Sequence, residues 1–133
     1  SGIHPYLKIF GDDYNTDDGT PIRDYIHVVD VARAHVDAIE RIFKDKMIKS
    51  VENYNLGTGI GYSVLQIVKT FEKISGVKLN YKIVPRRDGD IEQIWSNPKL
   101  ANKMLGWEAK YGLETMVRSA WEWEQAYRRR LNG

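Results

Sequence analysis

Pro85-Arg86-Arg87-Asp88-Gly89-Asp90 stands directly after the strand-like run Leu79-Asn80-Tyr81-Lys82-Ile83-Val84 and directly before Ile91 to Trp95. Two adjacent guanidiniums at a strand end, then a glycine turn and a carboxylate, form a small device for gripping an oxyanion beside a hydroxyl-bearing group. Guanidinium presents planar, paired donors that match phosphate oxygens, and such charge-assisted bonds are stronger than neutral ones. An ionised carboxylate only accepts, so it suits a sugar hydroxyl and not the phosphate itself. Those six residues alone fit equally a solvated turn in which the arginines pair with Asp88 and Asp90, and the surrounding sequence has to decide.

Working outward, the elements alternate. Tyr6-Leu7-Lys8-Ile9-Phe10 reads as a half-buried strand that stops at Gly11. Ile22-Arg23-Asp24-Tyr25-Ile26-His27-Val28 is rich in β-branched and aromatic residues and reads as a second strand, with Asp30 as N-cap of a helix over Val31 to Phe43. That helix carries Val31, Ala34, His35, Ala38, Ile39 and Ile42 at helical spacing, a face suited to docking on a sheet. Asn53 to Leu56 reads as a third strand. Ser63 and Gln66 then fit a capping box ahead of the stripe Val64, Ile67, Val68, Phe71 and Ile74, and Gly76 closes the helix. Asn97 and Pro98 mark the N-cap and first residue of a short helix ending at Gly106, and a last helix runs from Leu113 to Arg130. This order predicts an α/β domain with at least partly parallel strands.

Composition narrows the function classes. The 133 residues hold 20 basic and 18 acidic side chains, a net charge of +2 that is too small to attract nucleic acid. Arg128-Arg129-Arg130 reads as a solvated helix end, where cations suit the dipole. There is no cysteine, so disulfides, thiolate metal sites and cysteine nucleophiles are excluded, and a cytoplasmic setting is the expectation. No apolar run reaches membrane-spanning length. Ser1-Gly2-Ile3 leads straight into the first strand, which suggests a processed or cut N-terminus. The acidic loop from Asp12 to Asp18 fails as a calcium loop, because counting from Asp13 the sixth position is Asp18 where an EF-hand has glycine. His27 and His35 lack partners at metal spacing and read as structural. Gly57-Thr58-Gly59 resembles the start of a dinucleotide fingerprint, but Tyr62 stands where the third glycine is needed, so a tight turn is expected.

Taken together, Phe10-Gly11-Asp12-Asp13-Tyr14, Arg23-Asp24-Tyr25-Ile26-His27-Val28, Asn55-Leu56-Gly57-Thr58-Gly59, Pro85 to Asp90 and Leu105-Gly106-Trp107 closely resemble the C-terminal part of UDP-glucose 4-epimerases, which are extended short-chain dehydrogenases/reductases. Five motifs in fixed order are far more specific than any one alone. The resemblance implies that residues 1–133 form a single small C-terminal substrate-binding lobe lacking most of the Rossmann domain, with the segment of about 29–58 completing that other half. It implies that Arg23 and Arg87 grip the UDP diphosphate, that Asp90 meets the ribose hydroxyls, and that Phe10 and Tyr25 lie near the uridine. Ile94 falls beside the sugar. It further implies NAD as cofactor, UDP-glucose and UDP-galactose as ligands, no nucleic acid or membrane partner, a homodimeric full-length protein and a role in galactose metabolism.

No catalytic residue is assigned within the chain. A glycine-rich NAD fingerprint is absent, and none of the eight tyrosines is followed four residues later by lysine, so the Tyr-x-x-x-Lys pair that serves hydride removal in the family is absent too. The chain is therefore expected to be inactive by itself. A fragment of a sister sugar-nucleotide dehydratase or epimerase, and a stand-alone UDP-sugar-binding module, remain as alternatives. Asn53 to Leu56 is expected to have a free strand edge that recruits partners.

Overall fold

A computed structural model describes residues 4–131; the expectation about Ser1-Gly2-Ile3 lies outside them. The chain divides into two units: the first contains Arg23 and the segments before it, Tyr62–Ile94 and Leu113 onward, and the second contains Asp24–Gly61 and Trp95–Gly112.

In the first unit, the alternating run at the N-terminus becomes β1 (Leu7–Phe10), with Ile9 pointing into the core at 1% exposure. It pairs in parallel with β4 (Tyr81–Val84), Phe10 opposite Val84, so both segments read as strands form strands. A second small sheet contains β2 (Ile22–Arg23), β3 (Tyr62–Ser63) and β5 (Gln93–Ile94): β2 runs antiparallel to β3 and parallel to β5. The mixture of parallel and antiparallel pairs agrees with the expected partly parallel α/β class. α2 (Val64–Ser75) starts with the full capping box between Ser63 and Gln66 and ends on Gly76 at φ 70°. Helix α4 (Leu113–Leu131) packs on α2, with Phe71 edge-on to Trp121 at 5.3 Å and Val117 buried.

The acidic loop has a structural task. Asp18 accepts from the backbone and hydroxyl of Thr20 and from the hydroxyl of Ser63, and Thr20 Oγ1 in turn accepts from the Leu65 amide. Burial pushes the Asp18 carboxyl up, but the hydroxyl bonds outweigh it and hold the group below its usual range. A carboxylate near the start of a helix is also favoured by the dipole. Gly19 makes the turn possible: at φ 77° an added Cβ would lie 1.9 Å from the Asp12 carbonyl oxygen. Among the described residues no group of three or more potential ligands could hold a metal ion.

In the second unit, α1 (Val28–Phe43) begins three residues earlier than its hydrophobic spacing indicated. Its N-cap is His27, whose Nδ1 accepts from the Val29 amide, and not Asp30. The Ile22–Val28 strand accordingly shortens to β2. Asp30 is drawn inside instead. Fully buried, it accepts from the Lys110 and Tyr111 amides at 3.0 Å each and from Arg33 at 3.1 Å, while its carbonyl receives the indole N–H of Trp107 at 2.8 Å. A buried carboxylate with these partners outcompetes a surface cap, because leaving it unpaired inside costs far more. α3 (Lys99–Leu105) starts one residue later than read, with Pro98 in the capping position and Gly106 closing it at φ 68°. α1 packs on α3 through Ala34, Ala101 and Trp107, so a helix-helix contact takes the place of the expected sheet.

Asn53–Leu56 is not a strand: no ladder partner for it exists among the described residues, and the segment runs as irregular chain. It is tied down by side chains instead. Tyr54 and Leu56 pack against the Ala34–Ala101–Trp107 cluster, and Glu52 receives Arg41 Nε at 2.7 Å, the Ile48 amide at 2.8 Å and the Tyr54 hydroxyl. The expected free strand edge therefore has no strand to belong to.

The Arg41 guanidinium beside Glu52, helped by the Tyr54 hydroxyl, holds the Glu52 carboxyl at about 2, against an ordinary 4.5. A depressed carboxylate contributes stability that is present above its unfolded value and lost as pH falls toward its folded value. Glu52→Gln should therefore lower the thermal midpoint at neutral pH and shed most of that deficit between pH 4.5 and about 2, read by denaturation of both proteins across the acid range. A deficit that stays constant through that window would show that the charge of Glu52 is not what holds the segment.

Candidate functional site: an arginine-carboxylate clamp

Parallel pairing builds the site. β4 leads out of one small sheet at Val84 and β5 enters the other at Gln93, so the intervening turn is suspended between two fixed points. Within it, the Asp90 amide donates to the Arg87 carbonyl at 3.1 Å, and Gly89 takes φ 76°. The turn returns the Asp90 carboxylate toward its own arginine and toward Arg23, whose strand β2 lies against β5.

Asp90 Oδ1 accepts from Arg23 Nη2 at 2.6 Å, and Asp90 Oδ2 accepts from Arg87 Nη2 and Nε at 3.0 and 3.2 Å. Arg23 Nη1 also donates to the Ile22 carbonyl at 2.7 Å, which fixes its plane. The Arg87 guanidinium sits 4.7 Å from the centre of the Phe10 ring, a cation-π contact at the end of β1. Exposure differs sharply along the trio: the side chain of Arg87 is 62% exposed, that of Arg23 25% and that of Asp90 13%. Arg87 first and Arg23 second hold the Asp90 carboxyl below its usual range, so it is ionised at neutral pH.

The two adjacent arginines have separate tasks. Arg86 turns away, donating to the Asp13 carboxylate at 2.6 Å and to the Asp13 carbonyl, and covers the Tyr14 ring at 3.8 Å. Gly11 lets it pass: a Cβ there would lie 2.7 Å from both the Arg86 chain and the Tyr14 ring. Arg86 clasps the acidic loop, and Arg87 faces solvent beside the carboxylate. The turn pairing that the bare six residues allowed is thus half realised, through Asp90 and not Asp88.

Phe10, Arg23, Arg87 and Asp90 are brought together in the first unit. Tyr25 belongs to the second unit, half-buried. Ile94 lies half-exposed on β5. His27 faces Tyr111 at 4.7 Å between ring centres and His35 Nδ1 lies 2.8 Å from the Val31 carbonyl, so both have local structural contacts.

Asp24, read in the sequence only as part of a strand and of a family motif, organises the second unit's glycine turn. Asp24 accepts from the Thr58 amide and hydroxyl, from the Gly59 amide and from the Ser96 amide, at 2.6 to 3.1 Å. Gly57 is required for this approach, since a Cβ would lie 2.4 Å from Asp24 Oδ2 and from Ser96. The partners lie 34 to 72 positions away, so no local spacing could have signalled the role. With those amides committed to Asp24, the glycine turn is a tight turn and not a phosphate cradle.

Residues 8–120 match the family model described as GDP-mannose 4,6 dehydratase, and the chain belongs to that family. Within it, the chain is 50% identical to the UDP-glucose 4-epimerase of Mus musculus over 124 residues, which is 93% of this chain and 35% of the mouse protein. The matching region is the C-terminal part. Among solved structures, the UDP-glucose-4-epimerase of Stenotrophomonas maltophila with bound NAD and formylated UDP-arabinopyranose superposes with a TM-score of 0.90 at 46% identity, covering 96% of this chain and 37% of that one. The UDP-glucose 4-epimerase of Bifidobacterium longum in complex with NAD+ and UDP follows at a TM-score of 0.84 and 44% identity, covering 94% and 36%. The chain thus spans about a third of the length of these relatives, and the expected substrate-lobe fold agrees with the structural matches.

Arg86→Ala should speed amide exchange across Tyr14–Gly19 and lower the thermal midpoint, whereas Asp88→Ala should do neither. Equal protection of that loop in wild type and Arg86→Ala would mean that the clasp is not what orders it.

Proposed function

We propose that this chain is the UDP-binding part of an NAD-dependent UDP-glucose/UDP-galactose 4-epimerase, with Arg23 and Arg87 gripping the diphosphate. The single observation that carries this reading is the convergence of those two guanidiniums on one carboxylate, with Phe10 under Arg87 and the outward donors of Arg87 left open to solvent. Guanidiniums from two directions suit a linked pair of phosphates, which offers oxygens to both at once. In this reading Asp90 accepts a ribose hydroxyl through the remaining lone pair of Oδ1, and Phe10 lies near the uridine; a uridine contact for Tyr25 rests on the family resemblance alone. The choice of an epimerase over a sister dehydratase is supported by the 50% and 46% identities to UDP-glucose 4-epimerases.

The residues present do not fit NAD. The Thr58 and Gly59 amides already serve Asp24, and no Tyr-x-x-x-Lys pair exists in the sequence. We therefore assign the cofactor and the proton-transferring groups to a portion outside this chain and derive no chemical step within it. The second unit supports such an arrangement. Val29, Val36, Ile39 and Phe43 lie along α1 at intervals of three, four or seven residues and are 42 to 84% exposed, an apolar stripe of the kind that packs against another element. The segment of about 29–58 is accordingly read as the part that completes a nucleotide-binding half. Cytoplasmic location, homodimerisation and a place in galactose metabolism belong to the same reading and rest on the family resemblance.

Incubated with NAD and UDP-galactose, this chain alone should give no UDP-glucose. A chimera with the preceding two-thirds of the mouse relative joined ahead of it should. Turnover by the isolated chain would overturn the division of labour. In calorimetry with UDP, Arg87→Ala should weaken binding by about 1.5 to 3 kcal/mol, the usual worth of a hydrogen bond to a charged group, which is roughly ten- to a hundredfold in affinity. Arg87→Lys should recover only part, since a point charge does not reproduce the planar fork. Wild-type affinity in Arg87→Ala, with lost thermal stability instead, would make Arg87 a structural ion-pair partner.

A further inference from the structure

The sequence holds two Asp-Gly dipeptides, Asp18-Gly19 and Asp88-Gly89, and the fold treats them oppositely. An Asp-Gly step is chemically fragile, because a glycine amide with no side chain beside it reaches the preceding carboxyl carbon without a steric barrier. At the first dipeptide that path is closed. The Asp18 carboxylate accepts from Thr20 at 3.0 and 2.6 Å and from Ser63 at 2.5 Å, the Gly19 amide donates to the Thr16 carbonyl at 3.2 Å, and the Asp12 backbone crowds the glycine. At the second it is open. Asp88 and Gly89 are exposed, neither the Asp88 carboxylate nor the Gly89 amide has a hydrogen-bond partner among the described residues, and no atom lies within 4 Å of where a Gly89 Cβ would stand. The Asp90 amide bonded to the Arg87 carbonyl at 3.1 Å, with positive φ at Gly89 and not at Asp88, makes this a type II turn, whose middle amide takes no part in the turn's own hydrogen bond.

We propose that Asp88-Gly89 is a site of spontaneous covalent modification, at which Asp88 rearranges to isoaspartate and lengthens the turn between Arg87 and Asp90 by one backbone atom. The Gly89 nitrogen attacks the Asp88 side-chain carboxyl carbon; a C–N bond forms, the carboxyl hydroxyl and the amide proton leave together as water, and a cyclic imide results. Water then opens the imide at either carbonyl. Opening on the side-chain side restores aspartate, and opening on the backbone side leaves the chain running through the former side chain, with the α-carboxylate now hanging free. One water leaves and one returns, so the step needs no oxidant, cofactor or enzyme. Its structural consequence follows from position: Arg87 and Asp90 are joined across this dipeptide by a backbone hydrogen bond and an ion pair at 3.0 Å, and an inserted backbone atom breaks the spacing that both depend on. The clamp is thereby pulled apart from within its own turn, whatever it binds.

The test is to age the wild-type chain and Asp88→Glu at physiological temperature and pH over weeks, and to map both by cleavage before aspartate and by methyl transfer to isoaspartate. Wild type should accumulate isoaspartate in the Asp88 peptide, at unchanged mass and with cleavage there lost, several-fold faster than in the Asp18 peptide. Asp88→Glu should stay free of it, since the larger ring closes far more slowly. In urea the two Asp-Gly sites of the wild type should react at similar rates, which ties the difference to the fold and not to flanking sequence. Native Asp88 that stays intact while the same site reacts in urea would overturn the proposal, as would equal rates at Asp18 and Asp88 in the folded chain. Amide exchange reads the consequence separately: the Asp90 amide should exchange faster in aged wild type and not in aged Asp88→Glu, and unchanged exchange in a modified chain would overturn the opening of the turn.

Discussion

Two guanidiniums brought to one focus repel each other, and a negative group between them offsets that repulsion. Here that is the Asp90 carboxylate, and satisfying it constrains the first unit at several levels. Arg23 has to arrive from a strand paired in parallel with Gln93–Ile94, and Arg87 from a turn that folds back three residues later. Gly89 has to adopt positive φ to let the turn close. Arg86, next door, cannot join the same focus without adding a third positive charge, and it is drawn off to Asp13 and Tyr14. The placement of the acidic loop, the division of labour between adjacent arginines and the geometry of the clamp thus follow from one requirement of charge balance.

The second unit solves an analogous problem by burial. Asp30 collects backbone donors from 80 and 81 positions away and Glu52 collects donors from 4 to 11 positions away, and together they fix chain that has no sheet of its own. This is why Asn53–Leu56 is held without being a strand. A β-like composition states that side chains suit an extended, half-buried path, and a ladder forms only where a partner backbone lies alongside. Tyr54 and Leu56 follow such a path against Trp107 and Ala34 with no partner beside them.

Local signals in the sequence were legible where the physics is local. The capping box at Ser63 and Gln66, the left-handed glycines at 76 and 106 and the strand end at Val84 depend on neighbours within a few residues. The start of α1 was misplaced because Asp30 has all the local credentials of a cap, while the amides that claim it come from Lys110 and Tyr111. The clamp residues were legible as a motif, since Arg87, Gly89 and Asp90 fall within one four-residue turn. Their convergence with Arg23 came only from the family resemblance and not from local spacing, because it depends on the two-residue pairing of β2 with β5. Asp24 was silent for the same reason.

The cap of α2 also ties a local element to a distant part of the chain. Asp18 and Thr20 reach the first turn of that helix from 45 positions earlier in the chain, across the loop that Gly19 permits. Helices ordinarily fray from their ends, because terminal amides have only water to return to. In α2 the start of the helix is latched by a long-range closure whose entropy must already have been met. The first turn of α2 is therefore held twice, by its own capping box and by the loop, and the Leu65 amide keeps its partner only while the loop lies over it.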